Sequence, residues 1–268
     1  MTPQLQAACH QLRLSGLAAS LDLRLQEAAS HQLSHQQCVE LLLQDELHVR
    51  AQRRLERRQQ AANFRDLKPL EDFDWSFNPS LPRGQIYTLA TGQFIRQHRD
   101  VLLLGPPGVG KSFLAQALGH AALRAGFIVL YCSVFDLVRE LQADQSPAEA
   151  QRSLTRYLKP DLLCIDDFGM KHFPPKSAET LLELIVRRHQ NRSTLLTSNR
   201  PIEDWGLLLG DVPAATAILD RFLQQAEIIT ITGRSYRLRH ASGATGTAPA
   251  AEPEKKSPGQ ASSLEKKK

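Results

Sequence analysis

The octapeptide GPPGVGKS, residues 105–112, constrains the fold more than any other stretch of this chain. Four apolar residues, Val101 to Leu104, precede it, and the amphipathic run KSFLAQALGHAALRAG follows it, closing at Gly126. A short buried strand, a glycine turn and a helix in that order form the first half of a βαβ unit. Gly105, Gly108 and Gly110 let the backbone curl with its amide N–H groups inward, where the dipole of the following helix also favours negative charge. Such a loop cradles phosphate. With Pro106, Pro107 and Val109 completing the cradle, Lys111 can reach the β and γ phosphates of a nucleoside triphosphate, and the Ser112 hydroxyl can ligate the Mg2+ that bridges them.

The same alternation continues downstream. FIVLYC, DLLCID and STLLTS read as buried strands, and VFDLVREL, PAEAQRSLTRYL and SAETLLELIVRRHQ as the helices between them. The fold class is therefore α/β, a P-loop nucleotide-triphosphatase architecture whose parallel sheet is covered by helices on both faces, with its ligand at the carboxyl ends of the strands. This core is expected over residues 100–240. Ahead of it, Leu5, Ala8, Leu12, Leu17, Leu21 and Leu25 recur at helical spacing with a break at Ser15-Gly16. A second helix, capped by Ser34, runs from His35 to about Ala62, with Val39, Leu42, Leu43, Leu47 and Leu55 expected inward. Residues 1–66 thus form a small all-helical N-terminal domain. The stretch from 67 to 84 holds three prolines among acids and aromatics, so 67–99 reads as a connector and entry to the core. Its aromatics Phe73, Trp75 and Phe77 either dock the connector or lie where an adenine packs. Beyond residue 240 large apolar side chains almost vanish, and 241–268 is expected to be a disordered, lysine-ended tail.

Two further segments complete the chemistry. LLCIDDFG, residues 162–169, is an apolar run ending in acid, which sets carboxylates at a strand tip facing the glycine loop. Asp166 would hold the magnesium through water, and Asp167 would orient or deprotonate the attacking water. LLTSNRP, residues 195–201, ends a strand at Asn199. That amide either bonds the γ phosphate and the lytic water or belongs to a turn that merely stops the strand.

Composition narrows the partners. No apolar run approaches the roughly 18 residues that cross a bilayer, and no secretory signal is visible, so a cytoplasmic protein with no membrane partner is expected. Cys9, Cys38, Cys132 and Cys164 lie far apart without a CxxC pair, which suits reduced, packed thiols, and His31 and His35 lack an accompanying glutamate for a zinc motif. The net charge of +5 is concentrated in Arg50, Arg53, Arg54, Arg57, Arg58 and Arg65, interrupted by one acid, Glu56. That cluster suits a polyanion or a solvated helix face.

The ordered set Gly105 to Ser112, Asp166-Asp167, Asn199 and AILDRF with Arg221 resembles the AAA+ ATPases. Within them it is similar to the IstB-like helpers of insertion-sequence transposition, relatives of the DnaC helicase loaders and DnaA-type initiators. The N-terminal LRLSGLAASL, RAQRRLERR, LEDFDWSFNPSL and the closing GRSYRLR extend the resemblance over about residues 10–240. It implies that Lys111 and Ser112 bind ATP and magnesium, that Asp166 and Asp167 form the Walker B pair, and that Asn199 is sensor 1. Arg221 would then be the arginine finger, a permanently charged guanidinium that neutralises charge at the γ phosphate of a neighbouring subunit; the alternative for it is a surface ion pair with Asp220. Many AAA+ proteins place glutamate where Asp167 stands, so a slow ATPase used as a switch is expected. The segment after Arg221 is short for a helical lid, leaving Arg234 or Arg237 as sensor 2 candidates.

Nothing in the chain resembles a nuclease cluster or a DEDD-type metal site. The use left for hydrolysis is mechanical or regulatory: head-to-tail, ATP-bridged homo-oligomers on a polyanion that disassemble after hydrolysis. The resemblance implies duplex DNA as the scaffold, contacted through Arg50, Arg53, Arg54, Arg57 and Arg58, and a cognate transposase as the partner. A DnaC-like helicase loader is the alternative, expected to show aromatics that stack single-stranded bases. A metabolic kinase would need an acceptor-binding feature, which the sequence does not offer.

Overall fold

A computed structural model of the chain describes residues 1–66, 68–143, 146–169 and 173–239. It divides into a unit over Met1–Tyr236 and a second over Arg237–Lys268, of which residues 237–239 are described. The tail expected over 241–268 lies outside the described residues.

The chain opens with α1 (Pro3–Gln11), α2 (Ser15–Ser30) and α3 (His35–Ala61). Thr2 caps α1 by accepting from the Leu5 amide, and Ser34 with Gln37 forms a capping box at the start of α3. Between α1 and α2 the chain turns through Arg13, whose φ is 56°. At Gly16 a Cβ would lie 2.9 Å from Glu46 Cα and 2.9 Å from Val49 Cβ, so glycine lets α2 and α3 close. Glu46 is buried there and accepts from the Gly16 and Leu17 amides at 2.7 and 3.0 Å, capping α2 from the side. Arg50 Nε donates to its other oxygen at 2.7 Å.

That arrangement corrects the inward face expected for α3. Leu42 is buried and Leu55 half-buried, but Val39, Leu43 and Leu47 are exposed. The face meeting α2 follows Cys38, Leu42 and Glu46, a strict spacing of four, which leaves the adjacent apolar stripe outside.

The connector contains a single 3-10 turn at Leu70–Asp72 and buries Leu70 and Leu81 against the core. Two short helices follow, α4 (Arg83–Ala90) and α5 (Gln93–Arg96), and then the α/β core begins. In chain order it comprises β1 (Asp100–Leu104), α6 (Lys111–Arg124), β2 (Val129–Ser133), α7 (Val134–Leu141), α8 (Pro147–Leu158), β3 (Leu162–Phe168), α9 (Ser177–Arg188), β4 (Ser193–Ser198), α10 (Trp205–Leu209), α11 (Val212–Leu223) and β5 (Ala226–Thr230). All strand pairs are parallel, in the order β2-β3-β4-β1-β5. Successive side chains serve opposite faces: Val101 and Leu103 pack with α4, α5 and α6, whereas Leu102 packs with α7 to α11. Burial on both faces is why these strands are apolar throughout.

The amino-terminal edge of the sheet is pinned by Arg188, which is fully buried. It donates to the carbonyls of Tyr157 at 2.8 Å, Pro160 at 3.1 Å and Ser193, and to Thr194 Oγ1 at 3.1 Å. Nearby Asp100 accepts from the Thr194 amide at 2.7 Å, and burial pushes its carboxyl up to about 7. All four cysteines are free and buried. Among the described residues no helix is long and apolar enough to cross a membrane.

Candidate active site

The site lies at the carboxyl ends of β1, β3 and β4, where the glycine loop joins β1 to α6. Gly105 N donates to Ser198 O at 3.2 Å, seating the loop against the end of β4. The three glycines have φ values of 154°, 83° and 102°, and each is also crowded. A Cβ at Gly105 would meet Ile231 O at 2.1 Å, at Gly108 it would meet Ser235 Oγ at 2.1 Å, and at Gly110 it would meet the Phe73 ring at 2.9 Å.

Those collisions identify the loop's covering. After β5, residues 231–236 turn back across it: Ile231 N donates to Leu104 O at 2.7 Å and Tyr236 N to Gly108 O at 2.9 Å. Phe77 meets the Tyr236 ring edge-on at 5.0 Å, and Asn78 Nδ2 donates to Thr232 O. The connector aromatics close the other side, with Phe73 against Phe113 and Trp75, and Trp75 stacked on Tyr87. Arg234, one sensor 2 candidate, is exposed within this strap; Arg237 belongs to the second unit.

Lys111 opens α6 and is buried, its Nζ donating to Gly105 O and Pro106 O at 2.8 Å each. Ser112 Oγ donates to Asp166 Oδ1 at 3.0 Å. Asp166 has no exposed surface, and it also accepts from the hydroxyls of Tyr131 on β2 and Thr197 on β4. Burial first, and then the Asp166 charge, raise the Tyr131 hydroxyl far above its ordinary range, so it stays a donor. Tyr131 and Thr197 are the residues that sequence reasoning missed. They share the sheet face of Asp166 on the two neighbouring strands, an arrangement set by strand register rather than by any local spacing.

Asp167 sits within a register shift of β3 against β4, between Ile165 and Phe168. Its φ is 64°, a left-handed conformation in which aspartate is several-fold enriched. Its amide donates to Thr197 Oγ1 at 3.1 Å, and its carboxylate lies 3.4 Å from Arg65 Nη2. Asn199, half-buried at the end of β4, donates its amide to Phe168 O at 3.3 Å.

Arg221 stands apart on the exposed side of α11, 3.5 Å from Asp220. The arginine cluster divides in two. Arg50 binds Glu46 and Arg13 O, Arg53 binds Ser15 Oγ at 2.5 Å, and Arg58 binds Gly126 O. Arg54 and Arg57 are exposed, one helical turn apart on α3.

The residues suit nucleotide and magnesium. The Ser112 hydroxyl and Asp166 carboxylate are hard oxygen donors within one coordination shell of each other, and the loop, packed against Ile231, Ser235 and Phe73, admits no side chain at Gly105, Gly108 or Gly110.

The family model of the IstB-like ATP binding proteins matches residues 7–244. A protein of Geobacillus stearothermophilus, named as an ATP-binding protein of insertion sequence IS5376, is 32% identical over 239 residues, which is 89% of this chain and 95% of that one. The corresponding protein named for IS21 in Pseudomonas aeruginosa is 35% identical over 236 residues, 88% of this chain and 89% of that one. Among solved structures, DnaI superposes with a TM-score of 0.52 at 22% identity, over 65% of this chain and 94% of DnaI. AMPPCP-bound DnaA from Aquifex aeolicus gives 0.52 at 18% identity, over 63% of this chain and 51% of that one. At those identities the structural likeness is one of fold.

Proposed function

Because this chain belongs to the IstB-like ATP-binding proteins, we propose that it is an ATP-hydrolysing helper of DNA transposition that assembles on duplex DNA and engages a transposase. The observation that carries this reading is the junction of Ser112 with Asp166 at 3.0 Å beneath a loop that requires glycine at 105, 108 and 110. Gly105 to Ser112 hold the triphosphate, with Lys111 leaving the Gly105 and Pro106 carbonyls for the β and γ phosphates. Ser112 and Asp166 hold magnesium, which when bound neutralises charge on the phosphates. Asp167 orients the attacking water and takes its proton, and Asn199 positions that water from the tip of β4. Arg221, which faces solvent, serves the γ phosphate of an adjacent subunit, so that ATP bridges copies of the chain.

Arg54 and Arg57 are the arginines free to meet DNA phosphates, with Arg50, Arg53 and Arg58 adding charge while holding the fold. The relatives named for insertion sequences favour transposition over helicase loading, because their similarity spans the N-terminal helices as well as the core. Phosphate release by the purified protein, with and without duplex DNA, tests the reading. A slow, DNA-stimulated rate is expected, and a DNA-independent rate in the hundreds per second would contradict a switch.

A further inference from the structure

The five residues Ala62–Asp66 connect the arginine-bearing helix to the nucleotide site. Tyr131 N donates to Ala62 O at 2.8 Å and Asn63 Nδ2 to Tyr131 O at 3.4 Å, so the segment runs along the edge strand β2. Phe64 stacks on His120 with ring centroids 4.3 Å apart and covers Gly119, where a Cβ would come within 2.7 Å of its ring. Asp66 N donates to Gln116 Oε1 at 3.0 Å, and Gln116 Nε2 donates to Ser112 O at 3.2 Å. Between these anchors Arg65 reaches Asp167 Oδ2 at 3.4 Å, its guanidinium 5.9 Å from the centre of the Tyr131 ring.

Asp167 is the residue placed above as the base for the attacking water. A guanidinium bound to this carboxylate occupies an oxygen that the attacking water would use. The pair is nonetheless breakable. Arg65 is 53% exposed and Asp167 25%, and an open cleft of ≈ 390 Å³ lined by Glu56, Gln60, Asn63 and Arg65 gives the arginine room to swing aside. Asn63, at φ 57°, closes α3 in a left-handed turn within this segment, two residues before Arg65, so a shift of α3 is delivered to Arg65.

We infer that Arg65 is a latch on Asp167: it restrains hydrolysis in the free protein and is withdrawn when Arg54 and Arg57, upstream on α3, engage a polyanion. The inference rests on reading the site as a DNA-responsive ATPase. It requires two arrangements of the segment, one with Arg65 on Asp167 and one with Arg65 away, biased by what binds α3.

The test is steady-state phosphate release by the full-length protein at varied ATP, with and without duplex DNA, for wild type, Arg65→Gln and Arg65→Lys. The expected result is a several-fold rise in the DNA-free kcat of Arg65→Gln at unchanged KM, with its response to DNA shrinking toward none. Arg65→Lys, which keeps the charge, should retain part of the restraint. A DNA-free rate for Arg65→Gln that stays level or falls overturns the latch. The wild-type arm separates the two ideas: a DNA-stimulated wild type beside an Arg65→Gln whose DNA-free rate does not rise rejects the latch alone, whereas a wild type without hydrolysis rejects the ATPase reading and the latch together. Thermal midpoints accompany each variant, and if glutamine at 65 unfolds the chain, Arg65→Met carries the same comparison.

Discussion

Ser112 Oγ donates to Asp166 Oδ1 at 3.0 Å, joining the first turn of α6 to the tip of β3. With Tyr131 and Thr197 it gives one buried carboxylate three hydroxyl donors from α6, β2 and β4. A buried charge is tolerated when its lone pairs are met. The preformed carboxylate therefore belongs to the fold as much as to the chemistry.

Asp166→Asn tests the chemistry. The amide nearly preserves shape but removes the charge that would hold magnesium, so phosphate release should fall by roughly 10² to 10³, the scale of one preorganised electrostatic contact. Nucleotide binding measured with a fluorescent ATP analogue should persist through the glycine loop and Lys111. Unchanged hydrolysis would remove Asp166 from the role given to it.

Tyr131→Phe tests the fold. It deletes one hydrogen bond to a buried charged group, a loss of about 1.5–3 kcal/mol, and should lower the urea midpoint without altering the slope of the transition. A midpoint equal to wild type would mean that Asp166 does not depend on β2.

The arginines of α3 should separate by partner. Arg50→Ala strips a partner from buried Glu46, which also caps α2, and should cost about 1–3 kcal/mol. Arg54→Ala with Arg57→Ala should leave stability within about 0.5 kcal/mol. The same pair of changes should reduce by about 2 the slope of log affinity for duplex DNA against log salt. Filter or fluorescence binding across a salt series reads this directly, and an unchanged slope would move the DNA contact elsewhere.

Two carboxyls give stability opposite pH dependences. Arg24 grips Asp45 through Nε and Nη2, both at 2.8 Å, and holds its carboxyl down at about 2 against an ordinary 3.8. Its contribution is present above pH 3.8 and is lost as the pH falls toward about 2. Burial raises Asp100 from 3.8 to about 7, so its contribution is present below 3.8 and is lost as the pH rises through about 7. Asp45→Asn should flatten the acid limb in urea titrations. Asp100→Asn should flatten the limb approaching neutrality and raise stability at about pH 8 relative to wild type.

What the sequence disclosed follows from where each signal resides. The glycine loop and LLCIDD are local, so chain spacing alone placed Lys111, Ser112 and Asp166 near one another, and runs of buried strand residues announced a parallel sheet. β5 was not legible, because Ala226–Thr230 is an edge strand whose Ile228 remains exposed, giving no continuous apolar run. The inward face of α3 was misread because apolar spacing fits both Cys38–Leu42 and Val39–Leu43–Leu47, and Gly16 with Glu46 decides between them only once α2 is in place. Tyr131, Thr197 and Arg65 reach the site through strand register and a long-range return of chain, which no local spacing encodes. Aspartate rather than glutamate at 167 gains a backbone reason: at φ 64° the shorter residue is the better tolerated.

Arg221 makes the strongest demand on assembly. Among the described residues its ion pair is with adjacent Asp220 at 3.5 Å; it is solvent-exposed, and such pairs contribute about 0–1 kcal/mol. An open depression of ≈ 530 Å³ lies against it, lined by Thr216, Leu219 and Gln224 among others. Arg221→Ala should therefore fold and bind ATP as wild type does, while hydrolysis under assembling conditions drops by roughly 10³ or more, the scale of a lost arginine finger. Electron microscopy with duplex DNA and a non-hydrolysable ATP analogue should show ordered oligomers for wild type and none for the variant. Oligomers of equal order in Arg221→Ala would mean that the triphosphate does not bridge subunits through this residue, since removing the charge it offers to the neighbour's γ phosphate would then have changed nothing at the interface.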